Sequence, residues 1–364
     1  MEVVKQPKPS APRSSVPAMP VRHLEDGQEL DQVLLVRERH MRARRDGSDY
    51  VRLVLGDRSG SVPAVLWDGI AELAAQCDPG TPVRVAGRYT VHPRYGPEVL
   101  VRALDVAQPG EYDGDELAEA SPQDPDTMEY ALRELVATIR NPHLAALLGE
   151  VFGPESATWR QYRDAPAAKR YHQAYRHGLL EHSLTVAQAV SAISATFPGI
   201  DREVAVTGAL LHDIGKLDAY TSDPLAIDMT DAGKLQGEIP LGYYRVRRLI
   251  EDLPGFPEEL AAAVLHIILS HHGALEHGSP VVPCTREATL VHMIDNLGGR
   301  LGSFDRLEKS LPDGTRWSPF DRALGGGAWC AGREAAKGRP PGEPKAAGGF
   351  APWRAPAPGR TVVA

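Results

Sequence analysis

AVTGALLHDIGKL, residues 205–217, decides how most of this chain is read. Its apolar positions follow helical spacing and end on an imidazole beside a carboxylate, His212-Asp213. Burying that pair is costly unless a cation compensates it, which makes both side chains candidate metal ligands. Lys216 follows one turn on, where an ammonium can reach a phosphate. Two further candidates occupy similar settings: His182 in GLLEHSLTVAQAV (178–190) and Asp295 in ATLVHMIDNLGG (288–299). A lone histidine on an apolar helix is more often a core residue than a ligand, so it is the recurrence that argues for a site.

Ten of the 13 histidines lie between 143 and 292, most of them near helix ends. LSHHG (269–273) offers His271 and His272 just before a glycine that ends a helix, and both ligate only if that end faces the site. His266 reads as core or as a support for the ligands. His292, three residues before Asp295 on one helix face, reads as a group orienting that carboxylate.

Upstream, helices give way to short alternating strands: VLLVRERHMR (33–42), YVRLVLGD (50–57), SVPAVLWD (61–68), VRVAGRYTV (83–91) and EVLVRALDV (98–106). A short helix over 69–77 falls between the third and fourth. That order is the order of an OB-fold barrel. Such barrels hold single strands in basic grooves with aromatic platforms. The candidates here are Arg42, Arg44, Arg45, Tyr50, Arg52, Arg84, Arg88, Tyr89, His92, Arg94 and Tyr95. Alternation sets Tyr50 and Arg52 on one face, and turns Val83 and Val85 inward with Arg84 and Arg88 opposite. The plainer alternative is that these arginines are solvated and Trp67 is core.

The expected architecture is therefore an N-terminal all-β OB-fold barrel (29–108) followed by an all-α helical bundle (126–322). An acidic linker (109–125) joins them, and Pro-rich tails at 1–28 and 323–364 are expected to be disordered. Helices are expected at 126–140, 142–152, 154–163, 178–195, 201–212, 239–252, 257–272 and 285–302. The net charge of −8 is segregated: 111–126 holds seven acidic residues and no Lys or Arg, whereas VRERHMRARR (36–45) holds five arginines against Glu38. No apolar run approaches the ~20 residues a membrane helix requires. The opening MEVVKQPKPSAPRSSVPAMP lacks a secretory apolar segment, and Cys77, Cys284 and Cys330 are too scattered for a disulfide framework. A cytoplasmic protein with no membrane partner is expected.

The order His, His-Asp, Asp in apolar helices resembles the HD phosphohydrolase superfamily, in which metal assists attack of water on a phosphoester. The segments YHQAYRHGLLEHSLTV (171–186), LLHDIGKL (210–217), GKLQGEIPLG (233–242), LHIILSHHG (265–273) and LVHMIDNLGG (290–299) together are similar to the YhaM-type HD-domain 3'-5' exoribonucleases. That family also carries an N-terminal OB-fold and continues with a segment like WSPFDRAL (317–324), so the resemblance spans about 30–325. It implies that His182, His212, Asp213 and Asp295 hold one divalent ion, Mn²⁺ ahead of Mg²⁺, Co²⁺ or Fe²⁺. It also implies that Asp213 bridges to a second ion completed by His271 and His272. Asp213 and Lys216 would serve catalysis, with single-stranded RNA (or single-stranded DNA) as substrate and nucleoside 5'-monophosphates as product. His172 and His177 are candidates for substrate contact. Where the family has Gly-His-Ile, this chain has Gly237-Glu238-Ile239. Glu238 is either an oxygen ligand that hardens the second site or a solvated helix-start residue. Two other readings stay open: an HD phosphohydrolase acting on a small nucleotide, and an RNA-binding protein whose HD centre is inactive.

Overall fold

The computed structural model describes residues 18–43, 49–66, 77–92, 96–118, 121, 123–169, 173–223, 225–311 and 315–330. They fall into two compact units, Met1–Lys309 and Ser310–Ala364.

Strands β1 (Glu29–Ala43), β2 (Asp49–Asp57), β3 (Gly60–Leu66), β4 (Pro82–His92) and β5 (Gly96–Val106) close into a barrel in the order β1-β2-β3-β5-β4. Only the β3–β5 pairing is parallel. Alternation buries Val51, Leu53 and Leu55 of β2 and Val83 and Val85 of β4, as a half-buried sheet requires. A bulge between Ala86 and Gly87 bends β4 over β5. A Cβ at Gly87 would lie 2.5 Å from Leu100 O, so only glycine lets the two strands pass there. The strand order matches the OB-fold expectation. The helix expected at 69–77 falls almost wholly outside the described residues, as does Trp67.

Residues 18–28 correct the expectation of a disordered N-terminal tail. Val21 and Leu24 join the barrel core, Asp57 Oδ2 accepts from Val21 N at 2.8 Å, and Gln32 bonds both the N–H and the C=O of Met19. The acidic stretch is likewise held. Its short helix α1 (Gly114–Leu117) buries Leu117, and Arg37 Nη2 donates to Leu117 O at 2.9 Å. On the other side Asp115 pairs with Arg176 at 2.9 Å.

The bundle comprises α2 (Pro125–Val136), α3 (Pro142–Phe152), α4 (Ala157–Asp164), α5 (Gly178–Ser194), α6 (Arg202–Leu211), α7 (Lys216–Ala219), α8 (Asp231–Gln236), α9 (Glu238–Glu251), α10 (Glu258–Ser270) and α11 (Arg286–Ser310). Asp124, Asn141, Ser156 and Asp201 cap the helices that follow them, each accepting from first-turn amides. Ser156 sets the start of α4 three residues later than the sequence pattern suggests. The short α7 and α8 were not expected, because four to six residues carry too little periodicity. Helices α5, α6 and α10 are apolar nearly all round and form the middle of the core. Gly208 lets them close: a Cβ there would overlap the side chain of Ile267. Among the described residues, no helix is long and apolar enough to cross a membrane.

In the second unit, isolated bridges Trp317↔Trp329 and Asp321↔Gly326 order residues up to 330, with Ala328 and Cys330 buried. The ordered chain thus runs past residue 323, where the disordered C-terminal tail was expected to begin.

Gly215 fixes how α9 meets the turn after α6. A Cβ at 215 would overlap the main chain of Glu238 and Gly242. Gly215→Ala is expected to cost at least about 1–3 kcal/mol, read as a melting temperature lowered by several degrees; an unchanged melt would remove this contact from the fold's requirements.

Candidate metal centre

Helix ends and helix faces converge on one buried point. Helix α6 ends on His212, and Asp213 follows it at 2% exposure; α5 turns His182 towards the pair from its side, and α11 does the same with Asp295. His182 Nε2 lies 3.2 Å from His212 Nε2, 3.2 Å from Asp213 Oδ2 and 3.1 Å from Asp295 Oδ1. His182, His212 and Asp213 bring their ligand atoms within 4.8 Å of one another, a spacing that a metal ion can bridge. The sequence-expected ligands are therefore brought together.

The tautomers explain why this arrangement calls for a cation. His212 Nδ1 donates to Ala209 O at 2.7 Å, and His182 Nδ1 faces Gln173 Oε1 at 3.0 Å. In the neutral rings both Nε2 atoms then carry lone pairs, and they point at each other and at two carboxylates. Without an ion, protons and Lys216 take that role. Burial opposes charge on His182, but hydrogen bonds to Asp213 and Asp295 outweigh it and raise the ring to about 9. Burial lowers His212 to about 4 and keeps it neutral. Lys216 Nζ sits 2.6 Å from Asp213 Oδ2. Burial opposes ionisation of Asp213, yet Lys216 and the surrounding imidazoles hold it well below the usual carboxylate range.

The other oxygen of Asp213 faces a second set. His271 caps the C-terminus of α10, and its Nδ1 donates to Ile268 O at 2.8 Å. Its Nε2 therefore faces Asp213 Oδ1, 3.5 Å away, and both atoms are buried with no hydrogen-bond partner. Such a pair is expensive unless a proton or a metal lies between. Burial lowers the His271 pKa, but the Asp213 carboxylate prevails and raises it. His272 packs on His271, and its Nε2 lies 3.6 Å from Glu238 Oε1 at the first turn of α9. An open cleft of 180 Å³ adjoins the group, lined by His271, His272, His277, His292, Asp295 and Asn296.

Several expectations are corrected. His292 Nδ1 donates to His271 O at 2.8 Å, so it supports the helix end rather than the Asp295 carboxylate. It packs where a Cβ on Gly273 would stand, which is why that residue is a glycine at φ +81°. His266 Nε2 accepts from Cys284 N at 2.8 Å and pins the loop before α11. His177 is buried, with Nδ1 on Arg163 O at 2.7 Å, so it anchors the start of α5 instead of meeting substrate. His172 lies outside the described residues. Gln173, His277 and Asn296 were not foreseen; an isolated Gln or Asn carries no periodic signal.

On the barrel, Tyr50, Arg52 and Arg84 are half-buried, and Arg88 and His92 are exposed. Arg84 is neutralised by Asp31 at 2.8 Å, and Arg88 Nε donates to Gly27 O at 3.1 Å. Tyr89 packs against the barrel core within β4, so it is no free stacking platform. Arg44, Arg45, Arg94 and Tyr95 lie outside the described residues, and for Arg42 only the main chain is described.

The family described as "HD domain" matches residues 179–299, the span from α5 to α11 that carries this centre. The 3'-5' exoribonuclease YhaM of Bacillus subtilis (strain 168) is 30% identical over 290 residues, covering 79% of this chain and 90% of the relative. This chain belongs to the YhaM 3'-5' exoribonuclease family. The YhaM of Geobacillus sp. (strain WCH70) is 29% identical over 293 residues, 80% of this chain and 88% of the relative. A solved structure, the second OB-fold domain of replication protein A from Methanococcus maripaludis, aligns with 25% of this chain and 94% of its own at 20% identity, with a TM-score of 0.21. The YhaM pattern of a β-barrel ahead of an HD bundle is met here by the strand order itself.

The two rings set a pH optimum for the metal-free protein. His182, raised from 6.5 to about 9, contributes stability that is complete below 6.5 and lost as pH rises through about 9. His212, lowered from 6.5 to about 4, contributes stability present above 6.5 and lost as pH falls towards 4. Thermal melts in chelator are expected to peak near pH 6.5, with the alkaline limb flattened in His182→Asn. Parallel limbs in both proteins would contradict the assignment.

Proposed function

We propose that this protein is a metal-dependent 3'-5' exoribonuclease that trims single-stranded RNA to nucleoside 5'-monophosphates. The observation that carries the metal dependence is the Asp213 carboxylate, buried with its Oδ1 unpartnered against His271 Nε2 and its Oδ2 among the nitrogens of His182, His212 and Lys216. This donor set fits divalent ions: His182, His212, Asp213 and Asp295 would hold one, and Asp213, His271, His272 and Glu238 a second. Mixed oxygen and imidazole donors suit Mn²⁺ best, with Mg²⁺, Co²⁺ and Fe²⁺ as alternatives. When bound, the ions activate water at neutral pH and stabilise charge on the phosphoryl oxygens.

The chain's own groups do the rest. Water oxygen bonds to the terminal phosphorus, the P–O3' bond breaks, the 3' oxygen takes up a proton, and the released nucleotide keeps its phosphate at 5'. Lys216 Nζ, 2.6 Å from Asp213 Oδ2, offsets charge on the non-bridging oxygens. The cleft beside Asp295, with His277 and Asn296 on its wall, receives the terminal nucleotide. The barrel holds the strand through Arg52, Arg88, Tyr50 and His92, with the salt dependence that phosphate contacts bring. The family relationship favours RNA over DNA; "3'-5' exoribonuclease" is what the curated relatives are named.

The first test is degradation of homopolymer RNA with and without Mn²⁺. Asp213→Ala is expected to lower hydrolysis by orders of magnitude while leaving RNA binding by the barrel near wild type. A variant with wild-type turnover would end the reading, and release of products other than 5'-monophosphates would redirect it.

Glu238 marks where this chain leaves its family's pattern. Glu238→Ala is expected to raise the Mn²⁺ concentration needed for half-maximal activity, with recovery at high Mn²⁺. Glu238→His is expected to shift preference towards ions that suit imidazole, such as Co²⁺ or Fe²⁺. Superimposable activation curves for the three proteins would remove Glu238 from the site.

A further inference from the structure

We propose that Gln173 is a positioning residue that fixes His182 in the ring state a metal ligand requires. The inference rests on the metal reading above and concerns how this chain prepares one donor for the ion. A ligating imidazole carries its proton on one nitrogen and its lone pair on the other, and the partner of the protonated nitrogen selects that state. His212 and His271 obtain it from main chain, through the carbonyls of Ala209 and Ile268 three residues earlier. His182 has a side-chain partner instead: its Nδ1 lies 3.0 Å from Gln173 Oε1. An amide that offers its oxygen there holds the proton on Nδ1 and leaves Nε2 for the ion, among Asp213, Asp295 and His212.

The backbone is committed to this contact. Gln173 is buried at 5% exposure with φ +58°, a left-handed conformation that a residue with a side chain seldom adopts. Such strain persists only where the surroundings over-determine it. Here they do. Ala167 N donates to Gln173 O at 3.1 Å, and Gly178 has no Cβ because one would overlap that carbonyl. The other non-glycine residue with positive φ among those described is His177, whose Nδ1 lies 2.7 Å from Arg163 O. The loop 173–177 is thus pinned at both ends, and its first side chain is aimed at a ligand without touching the ion's other donors.

The test is Mn²⁺ binding to the full chain, followed by the electron paramagnetic resonance signal of the free ion, in wild type, Gln173→Met and Gln173→Glu. Met keeps the volume and removes the acceptor; Glu keeps an acceptor. Gln173→Met is expected to weaken Mn²⁺ binding by about 10–100-fold with the thermal melt of the metal-free chain retained, while Gln173→Glu binds at least as tightly as wild type. A purely space-filling role gives the reverse order, with Met tolerated and the buried carboxylate harmful, and that result overturns the proposal. Should Gln173→Met not fold, Gln173→Glu still decides: a folded Glu variant with weakened Mn²⁺ binding overturns it. A wild-type chain that binds no Mn²⁺ overturns the metal reading itself, and this inference with it.

Discussion

A carboxylate with 2% exposure, Asp213, is the constraint around which the bundle is organised. A charge so buried is stable only if cations and donors surround it. Its two oxygens face different company: Oδ2 meets His182, His212 and Lys216, and Oδ1 meets His271. Each neighbour arrives on a separate element, from α5 to α10, so the packing of the apolar helices and the chemistry of the centre cannot be varied independently. The glycines at 208 and 215 belong to the same requirement, since they let α10 and α9 approach the turn that carries Asp213.

The histidines divide into those that present Nε2 to the centre and those that hold the scaffold. His182, His212 and His271 are of the first kind, with Nδ1 engaged behind them. His177, His266 and His292 are of the second: each has a ring nitrogen bonded to main chain, and each ties a loop or helix end in place. The division follows from location. A ring at a helix end that points into the bundle meets Asp213, whereas a ring at a loop meets the unpaired N–H and C=O groups that loops leave.

Much of this was legible in the sequence. Period-two alternation gave all five strands, because burying one face of a barrel leaves little freedom in the pattern. The apolar runs before His212 and before His271 located the ligands for the same reason. Side-chain pairing across distant segments was not legible. Nothing in YHQAYRHG announces that Gln173 adopts a left-handed backbone and reaches His182, and nothing in VRVAGRYTV reveals that Arg84 is matched by Asp31 or that Tyr89 packs inward. The two segments read as disordered, 18–28 and 323–330, contain few apolar residues. Composition misjudged them because Val21 and Leu24 suffice when a ready-made barrel core accepts them.

The acidic strap around α1 grips both neighbours, with Arg37 and the amide of Arg58 bonded to its carbonyls and Arg176 bonded to Asp115. A stiff strap sets a fixed offset between the surface that would capture a strand and the cleft that would shorten it. Such an offset acts as a gauge. A strand long enough to span both holds on through each removal; one that has shrunk below the span loses its grip on the barrel at a single step. The end of trimming would then be written in the length of the strap, not in the sequence of the RNA.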